Sequence, residues 1–166
     1  MSIPGEYGRL RAETFCTEAV ITVYLHVGDL PESVTFEGDI AVDTEAMGLN
    51  NWRDRLCVVQ ISDGKGDEHL VQFRPGEYSA PRLKKLLTDP HRVKLFHFAR
   101  FDVAILQHYL GVTTAPIYCT KIASRLVRTF TDRHGFKDLC RALLGLELSK
   151  PQHSSDRGQP TLILEH

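Results

Sequence analysis

Four runs rich in β-branched and aromatic residues follow one another at short spacing: VITVYLHV (20–27), DIAVDTEA (39–46), LCVVQISD (56–63) and EHLVQF (68–73). After them the rhythm changes, and that change constrains the fold more than any other feature. Runs of this composition bounded by turn residues are strands. Connections as short as the DGKGD turn between the last two favour antiparallel neighbours. From residue 79 the spacing becomes helical: SAPRLKKLLTD (79–89) carries Leu83, Leu86 and Leu87 on one face, with Ser79 placed as N-cap and Pro81 in the first turn. RVKLFHFA (92–99) then reads as a strand and RFDVAILQHYLG (100–111) as a helix closed by Gly111. Two more helices follow, TKIASRLVRTF (120–130) and FKDLCRALLG (136–145). Hairpin strands followed by alternating helix and strand predict an α/β fold, a mixed β-sheet flanked by α-helices. The near-continuous apolar character of 39–46 predicts a central strand buried on both faces, between those at 56–62 and 93–99.

A chain of 166 residues suffices for one domain with one substantial core, and 42% hydrophobic content excludes a disordered chain. The expected division is a weakly ordered N-terminal extension (1–19), a single domain (20–160) and a short tail (161–166). There is no internal repeat, low-complexity tract or interdomain linker. Lys and Arg total 20 against 21 Asp and Glu, so net charge argues for neither nucleic-acid nor membrane binding, although a local basic patch would be hidden in that total. No apolar run approaches the ~18 residues of a membrane span. Arg9, Arg11, Glu13 and Glu18 interrupt the basic-then-apolar order of a signal peptide. The four cysteines, at 16, 57, 119 and 140, show no Cys-x-x-Cys spacing, and three lie in apolar runs. They read as free thiols in a reducing cytosol, with Cys57 and Cys140 buried and unpaired.

Against this background two acids stand out at the end of an apolar strand. Asp43 and Glu45 are two residues apart and project from the same face. Carboxylates that close resist joint ionisation unless a cation lies between them. An isolated Asp-x-Glu describes a solvated strand end equally well, so the pair needs support from elsewhere. KLFHFARFDVAIL (94–106) offers it, as a strand running straight into a helix with Asp102 in the first turn. The plainer role for Asp102 is a favourable charge–dipole position, worth ~0.3–1 kcal/mol. An acid just past the C-terminal end of a strand also lies where open α/β sheets place their sites. If the strands at 40–46 and 94–99 are parallel neighbours, Asp43, Glu45 and Asp102 converge. Three hard carboxylate donors suit Mg²⁺ or Mn²⁺ rather than zinc.

Asp43-x-Glu45 followed by Met47-Gly48-Leu49, then RDRLCVVQIS, then His97-x-Ala99-x-Phe101-Asp102, resembles the ribonuclease D family of 3′–5′ exonucleases. TKIASRLVRTFTDRHGFKDLCRALLG and KPQHSSD extend the likeness over residues 21–158, most closely to its short, single-domain nano-RNase C branch. The resemblance implies the DEDD group's ribonuclease H-like fold and two Mg²⁺ or Mn²⁺ ions per site. It makes Asp43 a ligand of both ions, Asp102 the ligand of the second, and Glu45 the residue holding one ion and the scissile phosphate or attacking water. It places Leu49 against the terminal bases and counts Thr44, Met47, Gly48, His97 and Arg100 among the substrate-binding positions. His97 reads equally as a packed, hydrogen-bonded strand residue, and Gln60 as a sheet residue. Two cations ~3.5–4 Å apart clamp the attacking and leaving oxygens of an in-line phosphoryl displacement, which is why such a family needs these acids. The implied substrate is RNA or a short oligonucleotide entered at a single-stranded 3′ end and released as nucleoside monophosphates. The implied setting is a cytoplasmic, ring-like homo-oligomer.

The likeness breaks after HSSD. The family's third motif, a Tyr followed four residues later by an Asp, is missing: Tyr118 is the last tyrosine, and Glu165 the only acid past Asp156. The family's Ser-Asp-Trp reads Ser155-Asp156-Arg157. LEH at the end resembles a cloning scar leading into a purification tag. A frameshift or a nonsense change in the gene is an alternative, as is a fold that manages without the motif. Asp156 is a possible stand-in ligand, with Glu165 a further one. His134 and Asp138 have the wrong spacing for a His variant of the motif. The competing reading is a catalytically impaired nucleotide-binding or assembly module that keeps the fold.

Overall fold

In a computed structural model, residues 9–12 and 21–148 are described, with β1 (Arg9–Ala12) as backbone alone. The sheet comprises β1, β2 (Ile21–Val27), β3 (Ile40–Ala46), β4 (Leu56–Ser62), β5 (Asp67–Gln72), β6 (Lys94–Phe96) and β7 (Ile117–Cys119), in the order β1-β2-β5-β4-β3-β6-β7. Helices α1 (Pro81–Thr88), α2 (Arg100–Leu110), α3 (Thr120–Val127) and α4 (Phe136–Leu139) follow the strands or lie between them, and α4 runs into a π-helical turn, Cys140–Leu144. The expected meander forms: β3 pairs antiparallel with β4, and β4 with β5. β3 has β6 as its parallel neighbour on the other side, so the strand bearing the two acids is flanked as predicted.

Several details differ from the sequence reading. β2 lies beside β5, in parallel, and not against β3. Within the 1–19 extension, β1 forms an antiparallel edge strand against β2. β7 was not expected at all; it extends the parallel half of the sheet beyond β6. β3 is buried on one face only. Ile40, Val42, Thr44 and Ala46 are buried, whereas Ala41 and Asp43 are exposed and Glu45 is half-buried. The covered face holds the main core, where Leu83 and Leu87 of α1 and Ile105, Leu106 and Leu110 of α2 cluster with Val42, Val59, Ile61 and Val71. A smaller cluster of Cys57, Val58 and Leu70 forms separately, packed by Val23 and Leu25. Cys57 and Cys140 are buried as expected and Cys119 is half-buried, and none of the three is in a disulfide. No helix among the described residues is long and apolar enough to cross a membrane.

Ser79 does not cap α1. Its N-cap is Ala80 in the left-handed region, and Asp29 supplies the missing acceptors across the fold, taking the amides of Arg82 and Leu83 at 2.9 Å each. A carboxylate there also meets the positive end of the helix. The helix expected at 136–145 begins regularly and loosens to π-helical hydrogen bonding from Cys140, closing on Gly145 at φ 67.

Lys94 fixes the strand that leads to the third acid. Its side chain is fully buried, and its ammonium donates to the carbonyls of Asp89 (2.6 Å), Arg92 (2.8 Å) and Ala115 (2.6 Å). An ammonium carries three protons, and three carbonyls take them. Burial pulls the Lys94 pKa down, with Arg92's charge acting the same way and Asp89 opposing. One residue thus ties the approach to β6 to the segment that enters β7. Lys94→Met leaves three carbonyls without their donor, so its urea midpoint is expected to fall by the equivalent of ~2 kcal/mol or more. An unchanged midpoint would show that the staple contributes nothing.

Candidate active site

Period-two alternation puts Asp43 and Glu45 on the open face of β3, opposite Gln60 and Val58 of β4. Asp102 arrives from α2, in whose first turn it lies, and is only 5% exposed. The residue between the two strand acids makes the connection. Thr44 points to the buried face, where its hydroxyl donates to Asp102 Oδ1 at 2.7 Å and its backbone amide donates to the same oxygen at 3.1 Å. Thr44 therefore holds the third acid instead of facing open space, and Oδ2 is the oxygen it does not use.

Burial drives the Asp102 pKa up to about 6, and the neighbouring Asp43 charge pushes the same way, against the Thr44 hydrogen bond. The site thus carries more negative charge than its surroundings readily solvate. Among the described residues, no three acid, His or Cys side chains close into a ready-made metal cluster. The donor chemistry still fits a hard divalent cation, because two acids of one strand and a desolvated acid beside them are relieved by positive charge.

His97, half-buried at the end of β6, hydrogen-bonds through Nδ1 to Thr120 Oγ1 at 2.9 Å. The Thr120 hydroxyl sends its single proton to the Phe96 carbonyl at 3.1 Å, so Nδ1–H is the donor and Nε2 of the neutral ring remains an acceptor. Burial lowers the His97 pKa, Lys121's charge adds to this, and Asp43 opposes it. His97 is therefore both the packed residue of the plainer reading and a neighbour of the acids. Arg100 is exposed at the start of α2. Gln60 donates to Glu68 Oε2 at 3.0 Å, in keeping with a sheet role.

The β3–β4 loop carries Met47, Gly48 and Leu49, the last 89% exposed. Its organiser is a residue that sequence reasoning missed. Asp54 is buried, accepts the Asn50 amide at 3.0 Å, and is held down to a pKa of about 2 chiefly by its hydrogen bond from Arg53. A Cβ at Gly48 would lie 2.2 Å from Asp54 Oδ2, so only glycine lets that carboxylate turn under the loop. An Asp two residues before an apolar run gives no such signal in sequence. His134 and Asp138 are engaged elsewhere, with Ser124 Oγ at 2.9 Å and Arg141 at 3.1 Å respectively. Asp156 and Glu165, like Cys16 and the 161–166 tail, lie outside the described residues.

Residues 20–165 match a family described as 3′–5′ exonuclease. The chain belongs to that family. Its relatives include a ribonuclease D of Gluconacetobacter diazotrophicus, 32% identical over 143 residues, which are 86% of this chain and 36% of the relative. The chain spans about a third of the length of the curated ribonucleases D that it matches. Among solved structures it is similar to Brucella melitensis NrnC with bound Mg²⁺, at 48% identity and a TM-score of 0.80, covering 86% of this chain and 69% of that one. The same protein bound to pGG gives 48% identity and a TM-score of 0.81 over 87% and 70% of the two chains. The resemblance read from Asp43-x-Glu45 and His97-x-Ala99-x-Phe101-Asp102 thus holds: the chain belongs to the ribonuclease D family of DEDD-type 3′–5′ exonucleases, is similar to nano-RNase C, and has a ribonuclease H-like mixed sheet.

The electrostatics of Asp102 generate a stability prediction. Its raised pKa means that the metal-free native state binds this proton more tightly than the unfolded chain does. That contribution is complete below pH ~4 and is lost as pH rises through about 6. Asp102→Asn keeps an acceptor for Thr44 and carries no charge. It is expected to exceed the wild type in stability at pH 7.5, without divalent cations, by on the order of 2 kcal/mol. The gain should vanish towards pH 4 in denaturant titrations, and a pH-independent difference would contradict the assignment.

Proposed function

We propose that this chain hydrolyses RNA or short oligonucleotides from a single-stranded 3′ end, releasing nucleoside monophosphates, with Asp43, Glu45 and Asp102 holding two divalent cations, Mg²⁺ or Mn²⁺. The observation that carries this reading is the Thr44–Asp102 contact, which sets a buried acid beside two others on one strand. Bound cations would supply a polarised phosphoryl group and an activated water. Asp43, Glu45 and Asp102 Oδ2 are the donors this chain offers them. His97 Nε2 and Arg100 offer an acceptor and a positive charge at the same end of the sheet. Leu49, exposed on the loop braced by Asp54, is the apolar group best presented to terminal bases, with Met47 and Gly48 shaping its loop. The Mg²⁺ and the pGG of the two Brucella structures support both the cation and the substrate class. A cytoplasmic location accompanies this reading, as the compartment of short-RNA turnover.

The decisive assay offers a labelled RNA dinucleotide with Mn²⁺, alongside a chelator control. Release of monophosphate is expected, lost with the chelator and reduced at least ~10²-fold in Asp43→Asn with its fold intact. Full activity of Asp43→Asn would overturn the metal assignment. A second reading is a nucleotide-binding or assembly module without turnover. It predicts binding of the dinucleotide with no hydrolysis at any Mn²⁺ concentration.

Self-association belongs to the same proposal. Leu126, Val127 and Phe130 are 74%, 76% and 80% exposed, a load of apolar surface that a second copy of the chain would cover. Light scattering at micromolar concentration is expected to give a mass above the monomer's, and a clean monomer would refute the assembly.

A further inference from the structure

Phe98 occupies a conformation that its side chain disfavours. It lies in the turn between β6 and α2, with φ at 70, and it and Ala80 are the non-glycine residues of positive φ among those described. Bulky residues rarely adopt this region, and glycine would adopt it freely. Strain of this kind persists where surrounding structure enforces it, and it concentrates at ligand sites. The ring gains little from packing, being 47% exposed. Its partner is a cation: Lys121 Nζ stands 4.3 Å from the ring centroid.

The position of this pair gives it meaning. Phe98 lies between β6 and α2, four residues before Asp102, and Lys121 follows Thr120, whose hydroxyl meets His97 Nδ1 at 2.9 Å and the Phe96 carbonyl at 3.1 Å. An ammonium and an open aromatic face therefore border the acids on the β6 side. An array of acids alone repels a polyanion, so a substrate carrying phosphates needs compensating charge close by. A lysine is a point donor suited to a phosphate oxygen, and an aromatic face accepts any base by stacking. A cation–π contact at an exposed site is weak, and it does not by itself account for keeping phenylalanine in a glycine conformation.

We propose that Lys121 and Phe98 form a nucleotide subsite beside the acids, with the Lys121 ammonium binding a backbone phosphodiester and the Phe98 ring stacking on the attached base. The subsite rests on the oligonucleotide reading above and adds two residues to it.

The test uses the full chain and a 5′-fluorescein-labelled phosphorothioate RNA tetranucleotide with Mn²⁺, followed by anisotropy as salt is raised. Lys121→Met is expected to weaken binding about tenfold and to flatten the log–log salt dependence by about 0.7, the contribution of one contact to a single strand. Its Mn²⁺ affinity, read by calorimetry, should stay unchanged. Phe98→Gly should raise the Tm, by relieving the turn, while weakening the RNA about tenfold. Phe98→Tyr should bind as the wild type does. The proposal is overturned if the wild type binds the probe and both Lys121→Met and Phe98→Gly bind equally well with the same salt slope. It is also overturned if Phe98→Gly melts below the wild type, which would make the ring a packing element. A wild type that takes up Mn²⁺ but no RNA would instead remove the oligonucleotide reading, and the subsite with it.

Discussion

The contact between Thr44 and Asp102 is the joint on which the arrangement depends. Asp102 reaches the acids of β3 only because a backbone amide and a hydroxyl of that strand receive one of its oxygens in the interior. The contact spans 58 residues of sequence and joins the first layer of the fold to the helix packed over it. It also depends on the strand order. β6 must lie parallel to β3 for α2 to begin at this end of the sheet, and Lys94 secures β6 by gathering three carbonyls from either side of it. Remove the staple and the acid loses its support; remove the threonine and a desolvated charge loses its donors.

Stability is given up at three places, two in the passage from β6 to α2 and one in the loop after β3. Asp102 is kept in a setting that resists its ionisation. Phe98 holds a backbone angle suited to glycine. Gly48 surrenders a side chain so that the Asp54 carboxylate can turn beneath the loop. A chain selected for stability alone would replace the first two, and their proximity at the start of α2 supports the site proposed there.

Much of this was legible in the sequence, for identifiable reasons. Alternation with period two places Asp43 and Glu45 on one face whatever the fold, and the unbroken passage from strand to helix at 94–106 places Asp102 beyond a strand end. Antiparallel order across β3, β4 and β5 followed from short turns. The pairing of β2 with β5 did not, because parallel neighbours are joined by no turn that sequence can announce. β7 has three residues, too few for a pattern. Asp29 caps α1 from 53 residues away, so the nearby Ser79 looked the better candidate. The apolar run of β3 suggested cover on both faces, whereas Ala41 and Asp43 are open. The role of Thr44 was hidden for a related reason: a residue flanked by two acids reads as part of their surface, and its opposite orientation tells only once Asp102 is seen beneath it.

The buried lysine has a chemical consequence of a different kind. Amine-directed reagents attack the unprotonated nitrogen and must reach it from solvent, and Lys94 offers neither access nor a free lone pair while its three protons are held by carbonyls. Burial has already drawn its pKa below that of an ordinary lysine, so holding the proton here depends on those carbonyls and not on water. Every labelling event at this position therefore requires the sheet to open around β6. Lys94 is a built-in chemical clock for the opening of the sheet beside the acids, and it runs silently as long as the fold is closed.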